Sequence, residues 1–295
     1  MNIEAVSGSA TVAIACTFVF LLAAKSWHLV ARSMSAHPNF PDAIMREAAQ
    51  RFRDELESLS RKQSTYLGAG LMFVFIFAVA HAFEAHQLFE GYPAWQLYVL
   101  LGTLLAAAGF ASYRLFRTVQ QWREVRFLRD ANIAVGHSLQ RIAVGHGRVF
   151  HDVATPEGVV DHLIVGPGGI YAINVVAHRA MRRDSVHLSD SELRFKPDGR
   201  SISIADIAAK TTRLEQEFRD LLRNSVRVRS VIAVPGWHAE TQSGNGHLVV
   251  NERTLPMLRG WRDEADYLMD EDVRTLQQHL TTICKRSPSA RRKRK

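Results

Sequence analysis

Long apolar stretches come first in this chain, and short alternating ones follow. Residues 5–24 hold no charged side chain and centre on Phe18-Val19-Phe20-Leu21-Leu22. Twenty helical residues at about 1.5 Å rise cover about 30 Å, the thickness of a bilayer core. Residues 65–83, around Phe73-Val74-Phe75-Ile76-Phe77, and residues 95–113, ending in Ala106-Ala107-Ala108-Gly109-Phe110-Ala111, repeat the pattern. The pattern predicts an α-helical region of three membrane spans within residues 1–122. The first run does not read as a cleavable signal, because Glu4 precedes it and no Lys or Arg does. Between the first two runs, Ile44, Ala48, Phe52, Leu56 and Leu59 recur at helical spacing among Arg and Glu residues. They predict an inner amphipathic helix over 42–62, with Pro41 and Asp42 at its start, lying on the membrane interface.

Charge orients these elements. Lys25, Arg32, Arg46, Arg51, Arg53, Arg61 and Lys62 lie between the first two runs, and Arg114, Arg117, Arg123, Arg126 and Arg129 follow the third. The loop 84–94 has no Lys or Arg, and Tyr92 and Trp95 suit interfacial positions. The positive-inside rule then predicts a multi-pass protein of a bacterial-type inner membrane, N-terminus outside and C-terminal domain cytoplasmic. His81, inside the second run with no acidic partner in any span, reads as an interfacial or helix-bonding group. The net charge of +8 points to an anionic partner, phospholipid or nucleic acid. Cys16 and Cys284 stand in unlike contexts and show neither a disulfide framework nor metal-ligand spacing.

Residues 123–286 have the composition of an ordinary α/β domain. A helix through Asn132, Val135, Leu139 and Ile142 leads into strand-like runs at 148–154, 159–165 and 170–176. The second and third runs are apolar on both faces, which predicts a sheet covered on both sides. They flank Gly166-Pro167-Gly168-Gly169, whose Pro and Gly suit a type II turn. No Gly-Lys-Ser/Thr follows, so this is a hairpin turn rather than a phosphate loop. Pairing Gly166 with Gly169 puts Asp161 opposite Asn174 and Val159 opposite Val176. A weaker hairpin (186–188 and 193–195, with Lys196-Pro197-Asp198-Gly199 as a turn), an amphipathic helix over 204–223, strands at 226–235 and 248–250, and a small helix with Leu255, Leu258 and Trp261 come next. Asp270 is expected to cap a last helix with Val273, Leu276, Leu280 and Ile283 on its buried stripe.

The segment 132–261 resembles the nuclease-related domain (NERD) family of the PD-(D/E)xK, restriction-endonuclease-like superfamily. The resemblance rests on Val149-Phe150-His151-Asp152-Val153 and above all on Val160-Asp161-His162-Leu163-Ile164-Val165-Gly166-Pro167-Gly168-Gly169-Ile170-Tyr171. It implies a mixed sheet flanked by helices, and phosphodiester hydrolysis with two carboxylates holding Mg²⁺ and a lysine assisting. On that pattern Asp161 is the first acid, while the second acid and the lysine fall on Asn174 and Val176. The family's leading-helix Glu falls at Asn132, and its helix-opening Gln has no counterpart near Asp206. The expected site is therefore degenerate: Asp161 is vestigial, or is a metal ligand only if the enzyme is active. Asp152, His178, Lys210 and Glu215 are the candidates for relocated groups. Asp161 as a plain hydrogen-bonded strand residue and His162 as a core histidine on the opposite face are the structural alternatives.

Lys285, Arg286, Arg291, Arg292, Lys293, Arg294 and Lys295 make a basic C-terminus, with 287–295 expected to be disordered and suited to lipid headgroups or nucleic acid. The sequence thus reads as a membrane protein with a cytoplasmic, non-catalytic, nucleic-acid- or partner-binding nuclease-fold module that needs no cofactor. The alternatives are a Mg²⁺-dependent nuclease with relocated groups and a structural membrane scaffold.

Overall fold

A computed structural model of the chain describes residues 3–34, 45–83, 94–144, 147–179, 184–189, 191–239, 243–244, 246–259 and 266–285. Two compact units divide it: Met1–Asn39 with Asp54–Val125, and Phe40–Arg53 with Arg126–Lys295.

Three helices run through the first unit: α1 (Ile3–Met34), α2 (Gln50–Ala82) and α3 (Ala94–Ala143). Among the described residues one helix, α2, is long and apolar enough to cross a membrane. Only 6 % of its apolar window is buried, so it is not packed as the core helix of a soluble protein would be. The apolar part of α1, Ser9–Ala23, is shorter. The structure thus supplies one candidate span where the sequence pattern predicts three. His81 stacks over Phe77 one turn earlier, with centroids 6.2 Å apart.

The amphipathic helix predicted over 42–62 is different in two ways. Residues 45–49 are not helical, and α2 begins at Gln50 and continues through the second apolar run. The physical reason is local. Ala49 has φ of 61°, outside the helical region. Arg46 N–H donates to the Cys284 carbonyl (3.1 Å), and Met45 bridges Lys285, so this backbone is paired to a distant segment. Phe52, Leu56 and Leu59 are buried as their spacing implies. Pro41, Asp42, Ile44 and the 84–93 loop lie outside the described residues. The third apolar run and the domain's leading helix are one element, α3, since no Gly or Pro interrupts 110–135 after Gly109.

The second unit is built on a six-stranded mixed sheet. Its strands are β1 (Arg148–Thr155), β2 (Gly158–Gly166), β3 (Gly169–Val175), β7 (Val228–Ala233), β10 (His247–Val250) and β9 (Ser243–Gly244), in that order. A second sheet holds β6 (Ser201–Ser203), β5 (Glu192–Lys196), β4 (Ser185–Ser189) and β8 (His238–Ala239). β1, β2 and β3 form an antiparallel meander, while β3, β7 and β10 run parallel. The predicted β2–β3 register is observed from Gly166↔Gly169 to His162↔Ile173. The turn differs from the type II expectation: its positive φ falls on Gly169 (119°), at the fourth position, where type I turns favour glycine.

Both faces of the large sheet are covered. On one, α4 (Ala205–Leu222) and α5 (Asp270–Ile283) bury Leu214, Phe218, Val273, Leu276 and Leu280 against Leu163, Val165 and Ile170. On the other, Val135 and Leu139 of α3 meet Ile164, Tyr171 and Ile173, with Leu255 and Leu258 of a 3₁₀ helix (Leu255–Arg259) alongside. The second sheet packs Val186, Leu193 and Phe195 against Ile232, Val249 and Trp237. Leu221, expected on the buried stripe of α4, is exposed. Asp270 is the first residue of α5 rather than its cap; with Glu271 and Asp272 it places acids against the positive end of the helix dipole. Trp261 lies outside the described residues. Both cysteines are free: Cys16 is exposed, and Cys284 is buried in the core with its thiol pushed up to about 11 by burial, an inert packing group. Mixed sheets flanked by helices in this order fit a restriction-endonuclease-like α/β domain.

Candidate functional site

Asp161 is buried on β2, next to the point where β1 and β2 lose their regular alternation. The β1–β2 register pairs His151 with His162 and Val153 with Val160, which sets Asp152 directly against Asp161, although the ladder omits that pair. Asp152 has φ of 50°. This left-handed conformation costs an L-residue about 1–2 kcal/mol, least for Asn and Asp. Phe150 and Val153, three residues apart, face one core, as do Val160 and Leu163. Both strands therefore turn over between these positions, and two carboxylates end up opposed in the turned segment.

Arg51, from the first turn of α2, joins them. Its guanidinium donates to Asp161 Oδ1, its Nε is 3.8 Å from Asp152 Oδ1, and its backbone N–H donates to Asp152 Oδ2 at 3.0 Å. Asp152 thereby also serves an open backbone donor at the start of α2. Arg46 donates to the Asp152 carbonyl at 2.6 Å. The other Asp161 oxygen accepts the Val175 N–H at 2.7 Å, which closes the β2–β3 ladder with a side chain. Burial raises the Asp161 carboxyl to about 6; Arg51 and the Val175 N–H oppose this, Asp152 adds to it, and Lys210 opposes it weakly. Burial also raises Asp152, against the Arg51 N–H and the charges of Arg51 and Arg46.

Behind the acids lies a histidine pair. His151 Nδ1 and His162 Nδ1 are 2.8 Å apart, and Gln140 Nε2 is 3.3 Å from His151 Nε2. If Gln140 donates to His151, then His151 Nδ1–H donates to His162 Nδ1, and a single proton links two neutral rings. Burial, then His137, lowers His151 to about 4; burial, then His151, lowers His162 to about 3. Gly136 on α3 makes this packing possible, since a Cβ there would lie 2.8 Å from Ala48 Cβ and 3.3 Å from His162 Cε1.

Six buried side-chain N or O atoms lack a hydrogen-bond partner among the described residues, and five belong to this neighbourhood: Arg51 Nε, Asn132 Oδ1, Asp152 Oδ1, His162 Nε2 and Asn174 Nδ2. Asn132 keeps its Nδ2 on the Leu128 carbonyl (3.0 Å); its backbone carbonyl lies toward the His162 ring but outside hydrogen-bond geometry. Buried polar groups in folded proteins are almost always partnered. Such a concentration marks a polar site rather than an ordinary core.

Four residues were candidates for relocated groups, and two of them converge. Asp152 opposes Asp161, and the Lys210 side chain reaches from α4 over Gly158, where a Cβ would lie 2.8 Å from its Cε. His178 goes elsewhere, stacked near Phe195 and Trp237 and 3.0 Å from Arg200. Glu215 accepts the Val228 N–H (3.2 Å) and pairs with Arg219 (3.0 Å). Asn174 is buried past the end of the β2–β3 pairing, aligned with Ile232 of β7, and Val176 packs against the second sheet. His162 is buried, as expected, but bonded to His151. Lys285 is exposed; Arg286, Arg291, Arg292, Lys293, Arg294 and Lys295 lie outside the described residues. Sequence reasoning missed Arg51 and His151. Counting outward from the Thr155–Gly158 turn would have set His151 against His162 and Asp152 against Asp161. No local pattern announces Arg51.

Mg²⁺ wants oxygen ligands, and two carboxylates with an amide oxygen would suit it. With the Arg51 guanidinium on both acids, a second cation does not fit the arrangement. Among the described residues no group of three or more His, Cys, Asp or Glu side chains is placed to hold a metal ion.

Comparison with known families agrees with this architecture: residues 129–235 match the family model of the nuclease-related domain, NERD. That range holds the end of α3, the β1–β3 meander, α4 and β7. The match covers less than half of the chain and assigns the domain alone. No curated protein and no solved structure matches the chain.

Proposed function

We propose that this is a membrane protein whose nuclease-related domain is a non-catalytic module that binds nucleic acid at the membrane surface. The observation that carries the reading is the Arg51 guanidinium on the acidic pair, together with Asn174 and Val176 where the family pattern asks for an acid and a lysine. A cation fixed in the chain neutralises the carboxylates that a nuclease would use for metal. Binding is favoured by the net charge of +8 and by a fold whose relatives handle phosphodiesters, the latter a fold-level analogy. In this reading the three apolar runs are spans, the N-terminus is outside, the domain is cytoplasmic, and the basic C-terminus adds lipid or nucleic-acid contacts.

The test is titration of the full-length protein in detergent with labelled duplex and single-stranded DNA and RNA over a range of salt. The expected result is binding whose log affinity falls linearly with log salt, at a slope of about −0.9 per phosphate contacted on a duplex. Absent or salt-insensitive binding would contradict it and leave a protein partner or a scaffold role. One observation favours a second reading: Asp152 opposite Asp161, with Lys210 nearby, supplies the residue types of a relocated nuclease site.

A further inference from the structure

The acids and the arginine are not sealed alike. Asp152 and Asp161 side chains are 4 % and 5 % exposed, whereas Arg51 is 35 % exposed. Arg51 therefore lies between the acidic pair and solvent, as the outer member of the cluster. The segment carrying it is held by few contacts: the Met45–Lys285 bridge, Arg46 to the Cys284 and Asp152 carbonyls, Arg148 to the Met45 sulfur, and Ala48 against Gly136. Its own first helical turn adds only the Arg51 N–H bond to Asp152.

The acids are not saturated by this arrangement. Asp152 Oδ1 has no hydrogen-bond partner, with Arg51 Nε 3.8 Å away. Asn174, aligned with Asp161 by the β2–β3 register, is 4 % exposed and carries an unpartnered amide. An amide that turns its oxygen inward adds a third oxygen to those of the two carboxylates. Two carboxylates and an amide oxygen are the ligand set of a hard divalent cation, which tolerates retained waters for its remaining positions.

We infer that Asp152 and Asp161 form a cation site whose resident cation is the Arg51 guanidinium, and that displacing the 45–53 segment converts the pair into a site for a divalent cation of the Mg²⁺ or Mn²⁺ class. This rests on the reading of the acidic pair given above but not on nucleic-acid binding. Guanidinium and metal compete for the same oxygens, so each excludes the other by direct repulsion as well as occupancy. Arg51 lies in the first turn of α2, the helix that carries the membrane-length apolar stretch, so a shift of α2 along its axis is the motion that exchanges them.

The experiment uses the full-length protein in detergent with Mn²⁺ alone, read by electron paramagnetic resonance. Wild type is expected to bind Mn²⁺ at least about tenfold more weakly than Arg51→Ala, a difference of about 1.4 kcal/mol. Arg51→Ala gains one site, and Arg51→Ala with Asp161→Asn loses it. Equal binding by wild type and Arg51→Ala, or no gain in a folded Arg51→Ala, overturns the inference. If Arg51→Ala folds poorly, millimolar Mn²⁺ should raise its thermal midpoint and leave the Arg51→Ala, Asp161→Asn double variant unmoved. No shift, or an equal shift in both, overturns it as well. Nucleic-acid titration reads none of these quantities, so the two proposals fail separately.

Discussion

Arg51 and Asp161 are 110 residues apart in the chain and share one ion pair, with the Arg51 guanidinium on one carboxylate oxygen and the Val175 N–H on the other. Asp152, opposed to Asp161 across the β1–β2 hairpin, is held by the same arginine. Removing the arginine leaves two buried carboxylates without their main counter-charge. Breaking a fully buried pair from one side costs about 3–5 kcal/mol. Because Arg51 is 35 % exposed, Arg51→Ala should cost somewhat less, about 2 kcal/mol, and Arg51→Lys should recover part of it. Chemical denaturation of the full-length protein in detergent measures both; a change within about 0.5 kcal/mol, as for an ordinary surface site, would contradict the account.

Two sets of buried groups shape stability against pH in opposite directions. His151 and His162 are lowered to about 4 and about 3 by burial, so between pH 6.5 and about 4 the unfolded chain binds more protons and stability falls as the solution is acidified. Asp161, raised to about 6 by burial against an ordinary 3.8, binds its proton more tightly when folded, so its contribution instead falls as pH rises from about 4 to about 6. Two histidines outweigh one aspartate over the shared window. The net expectation is an acid-side loss below pH 6.5 that His151→Gln with His162→Gln flattens and Asp161→Asn steepens. Thermal midpoints from pH 4 to 7.5 read this directly; an unchanged profile in the double histidine variant would refute it.

Gly136→Ala pits two magnitudes against each other. Alanine in a helix interior gains about 1 kcal/mol over glycine. The new methyl would sit 2.8 Å from Ala48 Cβ and 3.3 Å from His162 Cε1, and overpacking of that kind costs about 1–3 kcal/mol. The clash should win, giving a net loss of about 1 kcal/mol and weaker seating of residues 45–53. Faster proteolysis within that segment, compared with wild type, is the accompanying signature; a stabilised variant would show that Ala48 does not pack there.

Much of this domain is legible from residue order. The β2–β3 register follows from the Gly166–Gly169 turn, and the α4 stripe of Ile207, Thr211, Leu214 and Phe218 follows from its period. The site is less legible because its key relationships break the regularities that pattern reading relies on. Asp152 adopts φ of 50°, the alternation of β1 and β2 fails beside it, and the acids' counter-charge comes from the start of a helix more than a hundred residues upstream. The amphipathic spacing around Phe52 and Leu56 was visible, but the positive φ of Ala49 that starts α2 at Gln50 was not, since alanine is an ordinary helix former.

Lys210 separates an acidic pair that is merely neutralised from one that retains chemistry. Its ammonium is a weak influence on Asp161 beside Arg51. Lys210→Met is therefore expected to change stability by less than about 1 kcal/mol and to leave nucleic-acid affinity nearly unaltered, unlike Arg51→Ala. A loss of affinity as large as for several phosphate contacts would place Lys210 in the binding surface instead.

The central claim is that a guanidinium, not a metal, serves the acidic pair. It is tested most directly by incubating the full-length protein in detergent with DNA and RNA in the presence of Mg²⁺ or Mn²⁺ and following chain scission. The account predicts no metal-dependent cleavage. Cleavage by wild type that Asp161→Ala abolishes would contradict it.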